Sequence, residues 1–160
     1  MKQQYLTTDN LNRVLSKQAA KTIQAVPKEC WQNATRSLLT LQELAHAHYL
    51  EGWIVSSAIL VPLEHGWLEL DGQLIDPTPA TWKWQHTYVP ALHFTKDELV
   101  QALHDNTALP IAWRHGWGGM QHPAYVKAYQ DAWWIGVPAS AKQRAQIRKG
   151  TKPVLVLPRR

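Results

Sequence analysis

Residues 64–78, EHGWLELDGQLIDPT, carry the strongest indication of fold in this chain. Two short runs that favour extended structure, residues 64–70 and 73–75, flank the dipeptide Asp71-Gly72. Asp-Gly between such runs is typical of a two-residue β-hairpin turn, because both turn positions need a positive φ. The stretch therefore predicts two antiparallel strands.

The register of this hairpin brings His65 and Asp76 together. A two-residue turn places Leu70 opposite Gln73 and, further from the turn, Trp67 opposite Asp76. Because side chains alternate along a strand, His65 and Asp76 then project from the same face as diagonal neighbours. Such neighbours lie about 7–8 Å apart at the backbone, within reach of an imidazole and a carboxylate. A slip of one residue would put them on opposite faces.

Cys30 is the only cysteine in the chain, and it stands at the predicted start of a helix over residues 30–47. The positive end of a helix and a nearby histidinium both favour the thiolate, which is the nucleophilic form. Asp76 bonded to His65 would fix the tautomer of the ring and stabilise its charged form. Cys30, His65 and Asp76 are therefore the candidate catalytic residues.

Each of these three residues also has an ordinary structural explanation. A lone cysteine is often a small core residue, a strand histidine is often a packing residue, and Asp before Pro-Thr is a common turn former. The conjunction of all three in one predicted arrangement favours a function.

Two further helical patterns and one short helix complete the predicted α-structure. Residues 10–26 have helical spacing, with Thr8 or Asp9 as the N-cap and Pro27 as the end. A short helix is predicted to begin at Thr95, and a last helix runs from Pro123 through Trp133.

The remaining segments are predicted to be extended or irregular. Residues 49–60 favour a strand with a bulge at Gly52 and a break at Pro62. Residues 81–90 are predicted as a tryptophan-rich loop, and residues 111–120 as a strand that ends in a glycine loop. The fold class expected from the whole pattern is α+β.

Length and composition bound the kind of protein. A chain of 160 residues is expected to form a single domain, here over residues 1–138, followed by a basic C-terminal tail over residues 139–160. No segment has the length of a membrane span or the pattern of a signal peptide, so no membrane contact is expected. A single cysteine favours the reducing cytoplasm and excludes a metal site built on cysteine pairs.

The net charge of +5 is concentrated in the tail, which has seven basic and no acidic residues. The rest of the chain has ten basic and twelve acidic residues, so it lacks the basic stripe of a nucleic-acid groove. Residues 142–160 could contact nucleic acid or an acidic partner, although a solvated tail is the simpler interpretation.

Histidine offers two rival interpretations. His46 and His48 are two positions apart and no His-Glu-x-x-His pattern occurs, so neither a metal nor a cofactor is expected. His115 could replace His65 as the base, but no recognisable turn supplies it with a partner acid. The segments rich in tryptophan could line a substrate cleft or belong to the core. Candidates for the cleft are Trp31, Trp67 and Trp113.

The order of cysteine, histidine and aspartate resembles the papain-like superfamily, in particular its transglutaminase-like and cell-wall endopeptidase branches. The local strings CWQNA at 30–34, YLEGW at 49–53, EHGW at 64–67 and DPT at 76–78 are similar to small bacterial or phage proteins of this type. The resemblance covers about residues 24–80. It implies a helix bearing the cysteine packed on an antiparallel sheet, with Cys30 as nucleophile, His65 as base and Asp76 as orienter. By the same resemblance Gln24 is a candidate for the oxyanion hole, with Lys28 and Gln32 as alternatives, although no glycine-rich approach precedes Cys30.

Two hypotheses follow. In the first, the chain is a thiol-dependent hydrolase or acyltransferase that acts on an amide or isopeptide bond of a peptide or protein substrate through an acyl-thioester. Peptidase, deamidase and cross-linking chemistry share this machinery and stay open. In the second, the same fold serves as a catalytically silent binding or inhibitor protein.

Overall fold

The structure is a computed structural model that describes residues 5–56, 59–105, 109–112 and 122–136. In this part of the chain, an antiparallel sheet of five strands in the order β1-β5-β2-β3-β4 is combined with four α-helices. The strands are β1 (Leu6–Thr7), β2 (His48–Ser56), β3 (Ile59–Leu70), β4 (Gln73–Ile75) and β5 (His86–Phe94). The helices are α1 (Arg13–Thr22), α2 (Cys30–Thr40), α3 (Lys96–Asp105) and α4 (Pro123–Gly136). Short 3-10 helices span Thr8–Asn10, Gln42–Leu44 and Pro79–Lys83.

The hairpin of β3 and β4 has the predicted register. Leu70 pairs with Gln73, and Leu68 pairs with Ile75. Asp71 has φ 51° and Gly72 has φ 74°, as a tight turn with two left-handed positions requires. The prediction for this hairpin is confirmed.

The predicted break at Pro62 is wrong, because Pro62 lies inside strand β3. Strand β2 ends at Ser56, and β3 already begins at Ile59. The pairing of β2 with β3 shifts between Ile54 and Ser56, close to the position of Pro62. A proline lacks the N–H for a ladder hydrogen bond, so it is tolerated where the regular ladder is interrupted.

Strand β5 occupies much of the segment that was predicted as a loop. Pro90 pairs with Gly52, where the register of β2 and β5 shifts. A side chain at Gly52 would overlap the carbonyl oxygen of Val89, so the two strands can approach this closely only because glycine stands here. The irregularity predicted at Gly52 is found, but its extra residue is Ala91 on β5 rather than a residue of β2. Pro90 concealed the strand around it.

Both predicted N-terminal helices are shorter than expected. Helix α1 starts at Arg13, with Asn12 rather than Thr8 or Asp9 as the N-cap, since the Asn12 side chain accepts from the Leu15 N–H at 2.9 Å. Helix α2 starts at Cys30 as predicted but ends at Thr40, because Leu41 is extended at φ −90° and ψ 125°.

The C-terminal predictions are confirmed in part. Thr95 caps α3, exchanging hydrogen bonds with Glu98, and α4 begins at Pro123. Ile111 and Ala112 lie in a 3-10 turn rather than a strand. Residues 113–120, with Trp113 and His115, and the tail over residues 139–160 lie outside the described residues.

The sheet has a hydrophobic cluster on each face. Helices α1, α2 and α3 pack over Tyr49, Leu68 and Ile75, and α4 packs over Trp53 and neighbouring residues. The other face carries a cluster of alternating residues from four strands. Its members are Leu50, Ile54, Trp67, Leu74 and Tyr88. Burial of each such side chain contributes about 1.5–3 kcal/mol. None of the described helices has the length and apolar character of a membrane span.

Candidate active site

The hairpin holds His65 and Asp76 in direct contact. Asp76 follows the last residue of β4, and its Oδ2 lies 2.8 Å from His65 Nε2. His65 is 4% exposed and Asp76 is fully buried. Their pairing is the diagonal contact that the register predicted, and it occurs where water cannot screen the two charges.

Every polar atom of Asp76 has a hydrogen-bond partner. The hydroxyls of Tyr88 and Thr81 each donate to Oδ2 at 2.8 Å, and the Thr78 N–H donates to Oδ1 at 2.9 Å. The backbone N–H donates to Ser16 Oγ at 3.1 Å, and the Trp82 indole N–H donates to the backbone carbonyl at 2.8 Å. These contacts tie α1, the 3-10 helix of Pro79–Lys83 and β5 to one residue.

The environment keeps the Asp76 side chain ionised. Burial alone would raise the pKa of Asp76, but the charge and hydrogen bond of His65, with the donors Thr81 and Thr78, lower it below its ordinary 3.8. The site therefore contains a fixed negative charge beside the imidazole at neutral pH.

The imidazole of His65 is held in its charged form. Burial alone would lower the pKa of His65, but the charge and hydrogen bond of Asp76, together with a hydrogen bond to the Cys30 thiol, raise it from 6.5 to about 10. Since Nε2 faces Asp76, Nδ1 is the ring nitrogen left for Cys30. The structure thus brings together all three candidate catalytic residues.

Gly66 allows the first turn of α2 to approach the sheet beside His65. A methyl group added at Gly66 would lie 2.6 Å from Trp31 Cδ1 and 3.1 Å from Trp31 Cα. Trp31 immediately follows Cys30, so this close packing sets the distance between the thiol and β3. Cys30 itself is 7% exposed, at the first residue of the helix.

Asn33 fixes the loop that leads into Cys30. Its side chain accepts from the Val26 N–H at 3.1 Å and donates to the Val26 carbonyl at 2.8 Å. The same Nδ2 lies 3.5 Å from Thr78 Oγ1, next to the Asp76 turn. Asn33 therefore couples the loop of the nucleophile to the turn of the acid.

Aromatic residues support His65 from within the core. Trp67 stacks on His65 with ring centres 6.2 Å apart and planes 13° apart. Only 1% of Trp67 is exposed, so it acts as a packing surface for the histidine, and its assignment to a substrate cleft stays a prediction. His86 is buried beside Tyr88, and burial and then the charge of His65 lower the pKa of His86, so it stays neutral.

A second buried carboxylate lies on the face of the sheet that packs against the helices. Glu51 pairs with Gly66 across β2 and β3, and it is fully buried. It accepts hydrogen bonds from the hydroxyls of Tyr49 and Tyr125, at 2.8 and 3.3 Å, and from the backbone N–H groups of Ile111 and Ala112, at 2.6 and 3.0 Å. Glu51 thereby attaches α4 and residues 111–112 to the sheet.

The other predicted site residues in the described part of the chain are exposed or only partly buried. Gln24 is exposed in the turn after α1, with φ 52°, and Lys28 is exposed with φ 69°. Gln32 is exposed on α2, and Trp31 is partly buried against Gly66. No set of three or more potential metal ligands occurs among the described residues.

Sequence reasoning missed several supporting residues. The string Asp76-Pro77-Thr78 could have indicated the Thr78 N–H, because an aspartate often caps the backbone two residues ahead. Ser16, Asn33, Glu51 and Tyr88 carried no such local signal.

Comparisons of the chain with protein-family models, with curated proteins and with solved structures find no match.

Proposed function

We propose that this protein is a thiol-dependent hydrolase or acyltransferase that acts on an amide or isopeptide bond. The observation that carries the proposal is the contact chain from Cys30 to His65 to Asp76, in which a buried carboxylate holds a charged imidazole against a helix-start thiol. A histidinium stabilises an adjacent thiolate, and a thiolate attacks carbonyl carbon far more readily than a thiol does.

The reaction uses one proton, which His65 gives to the leaving amine in the first step and recovers from the incoming nucleophile in the second. The Cys30 thiolate adds to the carbonyl carbon of the substrate, and the His65 N–H protonates the leaving amine as the C–N bond breaks. The product is an acyl-thioester on Cys30. Water or a second amine then attacks the thioester, His65 takes up its proton, and the thiolate leaves.

The oxyanion formed in both steps needs hydrogen-bond donors. The backbone N–H of Cys30 is at the N-terminus of α2, where N–H groups lack partners within the helix. This group is the natural first donor.

The fold is compatible with a papain-like or transglutaminase-like relationship. A helix whose first residue is cysteine packs on an antiparallel sheet, the histidine lies on β3, and the aspartate directly follows β4. We assign the peptide or protein substrate class on this basis, and we place the reaction in the cytoplasm, where a lone thiol stays reduced.

The test is the rate at which iodoacetamide alkylates Cys30, compared with the rate for a short peptide thiol at pH 6. An ordinary thiol with a pKa of about 8.5 is less than about 1% ionised at that pH. We expect Cys30 to react more than about tenfold faster than the peptide, and His65→Ala to remove the advantage. Cys30→Ser confirms the labelled position, and circular dichroism confirms that each variant is folded.

Equal rates for folded protein and peptide, unchanged in His65→Ala, would overturn the proposal and favour the binding or inhibitor protein. Tyr88→Phe is the control for general damage to the site, because it removes only a supporting hydroxyl and should retain most of the rate advantage. A folded His65→Ala variant that loses the advantage therefore reports the loss of the charged ring.

A further inference from the structure

A cavity of about 140 Å³ lies on the sheet face opposite the helices. Leu50, Trp67 and Tyr88 of the buried cluster line it, and Tyr5 and Leu6 contribute from the N-terminal segment. Its volume is similar to that of apolar protein cavities that bind benzene. This cavity differs from them because Glu69 contributes a carboxylate to the wall.

The aromatic rings of the cavity form a corner. Trp67 and Tyr88 have ring centres 5.2 Å apart and planes 70° apart. The hydroxyl of Tyr88 is bonded to Asp76, so Tyr88 offers mainly ring carbon to an occupant. The ring of Tyr5 packs against the cluster of α4, and its hydroxyl bonds to Asp131 of that helix at 3.3 Å.

Glu69 decides the charge of the occupant. It lies two residues after Trp67 on β3 and is partly buried. Among the described residues, no hydrogen bond or ion pair to its carboxylate is found, although its charge acts on the imidazole of His93. A neutral apolar molecule would desolvate this carboxylate and offer it no partner, whereas a cation would be attracted both by it and by the aromatic rings.

We propose that this cavity binds the ammonium group of a small primary alkyl amine, with Glu69 as the counter-ion and Trp67 and Tyr88 as the aromatic walls. Neither Cys30 nor His65 is among the residues that line the cavity, so the bound amine does not contact the thiol. The site goes beyond the proposed reaction and does not depend on it.

The experiment is a two-dimensional NMR titration of the full chain, with the indole N–H signal of Trp67 assigned. The probe is n-butylammonium chloride, and n-butanol at matched ionic strength is the neutral control. We expect a saturable shift with n-butylammonium and at least about fivefold weaker binding of n-butanol. Glu69→Gln should weaken n-butylammonium binding by about fivefold and leave n-butanol unchanged. Glu43→Gln, an exposed carboxylate outside the cavity, should change neither.

Absence of a saturable shift would overturn the proposal, and so would equal affinity for the two probes or an unchanged affinity in Glu69→Gln. Cys30→Ser should bind n-butylammonium as the parent chain does. Failure of amine binding is therefore distinguishable from failure of the thiol chemistry.

Discussion

Replacement of Asp76 by asparagine should reveal the energy stored in the buried ion pair. The change keeps the size of the side chain but removes the charge opposite His65, and it turns one oxygen acceptor into an N–H₂ donor. Oδ2 accepts hydrogen bonds from His65, Tyr88 and Thr81, each at 2.8 Å. An amide N–H₂ group in that place would itself be a donor, so it could not accept from these three groups.

Two independent routes give the magnitude. A rise in the pKa of His65 from 6.5 to about 10 corresponds to roughly 5 kcal/mol of preference for the charged ring in the fold. Removal of one partner from a buried ion pair generally costs about 3–5 kcal/mol. We therefore expect Asp76→Asn to lower the free energy of unfolding by about 3–5 kcal/mol, which a domain of ordinary stability can survive.

The assay is urea unfolding at pH 6, followed by tryptophan fluorescence. Asp105 provides a matched control, because it lies 3.5 Å from His104 in a pair whose side chains are 54% and 83% exposed. Asp105→Asn should change the stability by less than about 0.5 kcal/mol.

A double-mutant cycle completes the test. His65→Gln removes the other charge, so the double variant should lose less stability than the sum of the two single changes. A loss below about 1 kcal/mol in Asp76→Asn, or strict additivity with His65→Gln, would refute the view that a buried ion pair is formed.

Two further predictions concern pH and packing. The raised pKa of His65 gives stability that is full below pH 6.5 and is lost as pH rises through about 10, while the lowered pKa of Asp76 gives stability that is full above pH 3.8 and is lost at more acidic pH. Unfolding free energies across pH should therefore be highest between about pH 4 and 6.5 and decline toward pH 10, with most of the decline absent in the double variant; a flat profile would contradict the coupling. Gly66→Ala should lower stability by about 1–3 kcal/mol and slow alkylation of Cys30, because the new methyl group meets Trp31 at 2.6 Å. Gly72→Ala is the control, because no atom lies within 4 Å of the added methyl group but φ is 74°. It should lower stability by about 1 kcal/mol and leave alkylation of Cys30 unchanged. The same labelling rate in both variants would show that α2 is not positioned through Gly66.

The part of the fold that sequence predicts well is local. The Asp71-Gly72 turn fixed the register of β3 and β4, and this register alone brings His65 to Asp76. The cap of α3 at Thr95 and the start of α4 at Pro123 can be predicted equally well, because the residues that indicate them lie within the first turn of each helix.

The elements that escaped prediction depend on distant partners. Pro62 and Pro90 argue against strands when read alone, but both stand near places where the pairing register shifts. Helix α2 was predicted too long because the apolar spacing continues past Leu41, where the backbone is extended.

The same limit applies to the candidate site. Cys30, His65 and Asp76 could be proposed from residue type and turn chemistry. The donor Tyr88 and the acceptor Ser16 reach Asp76 from 12 and 60 positions away, so only the folded sheet shows them. Local patterns thus locate reactive groups, while tertiary packing determines their ionisation.

The saturated surroundings of Asp76 restrict where a proton can travel. With both carboxylate oxygens, the amide and the carbonyl all engaged, the aspartate has no free lone pair directed at bulk solvent. The proton that the reaction uses consequently resides on the imidazole, and it leaves and returns through the nitrogen that faces the thiol. The aspartate is confined to the part of a permanent counter-charge.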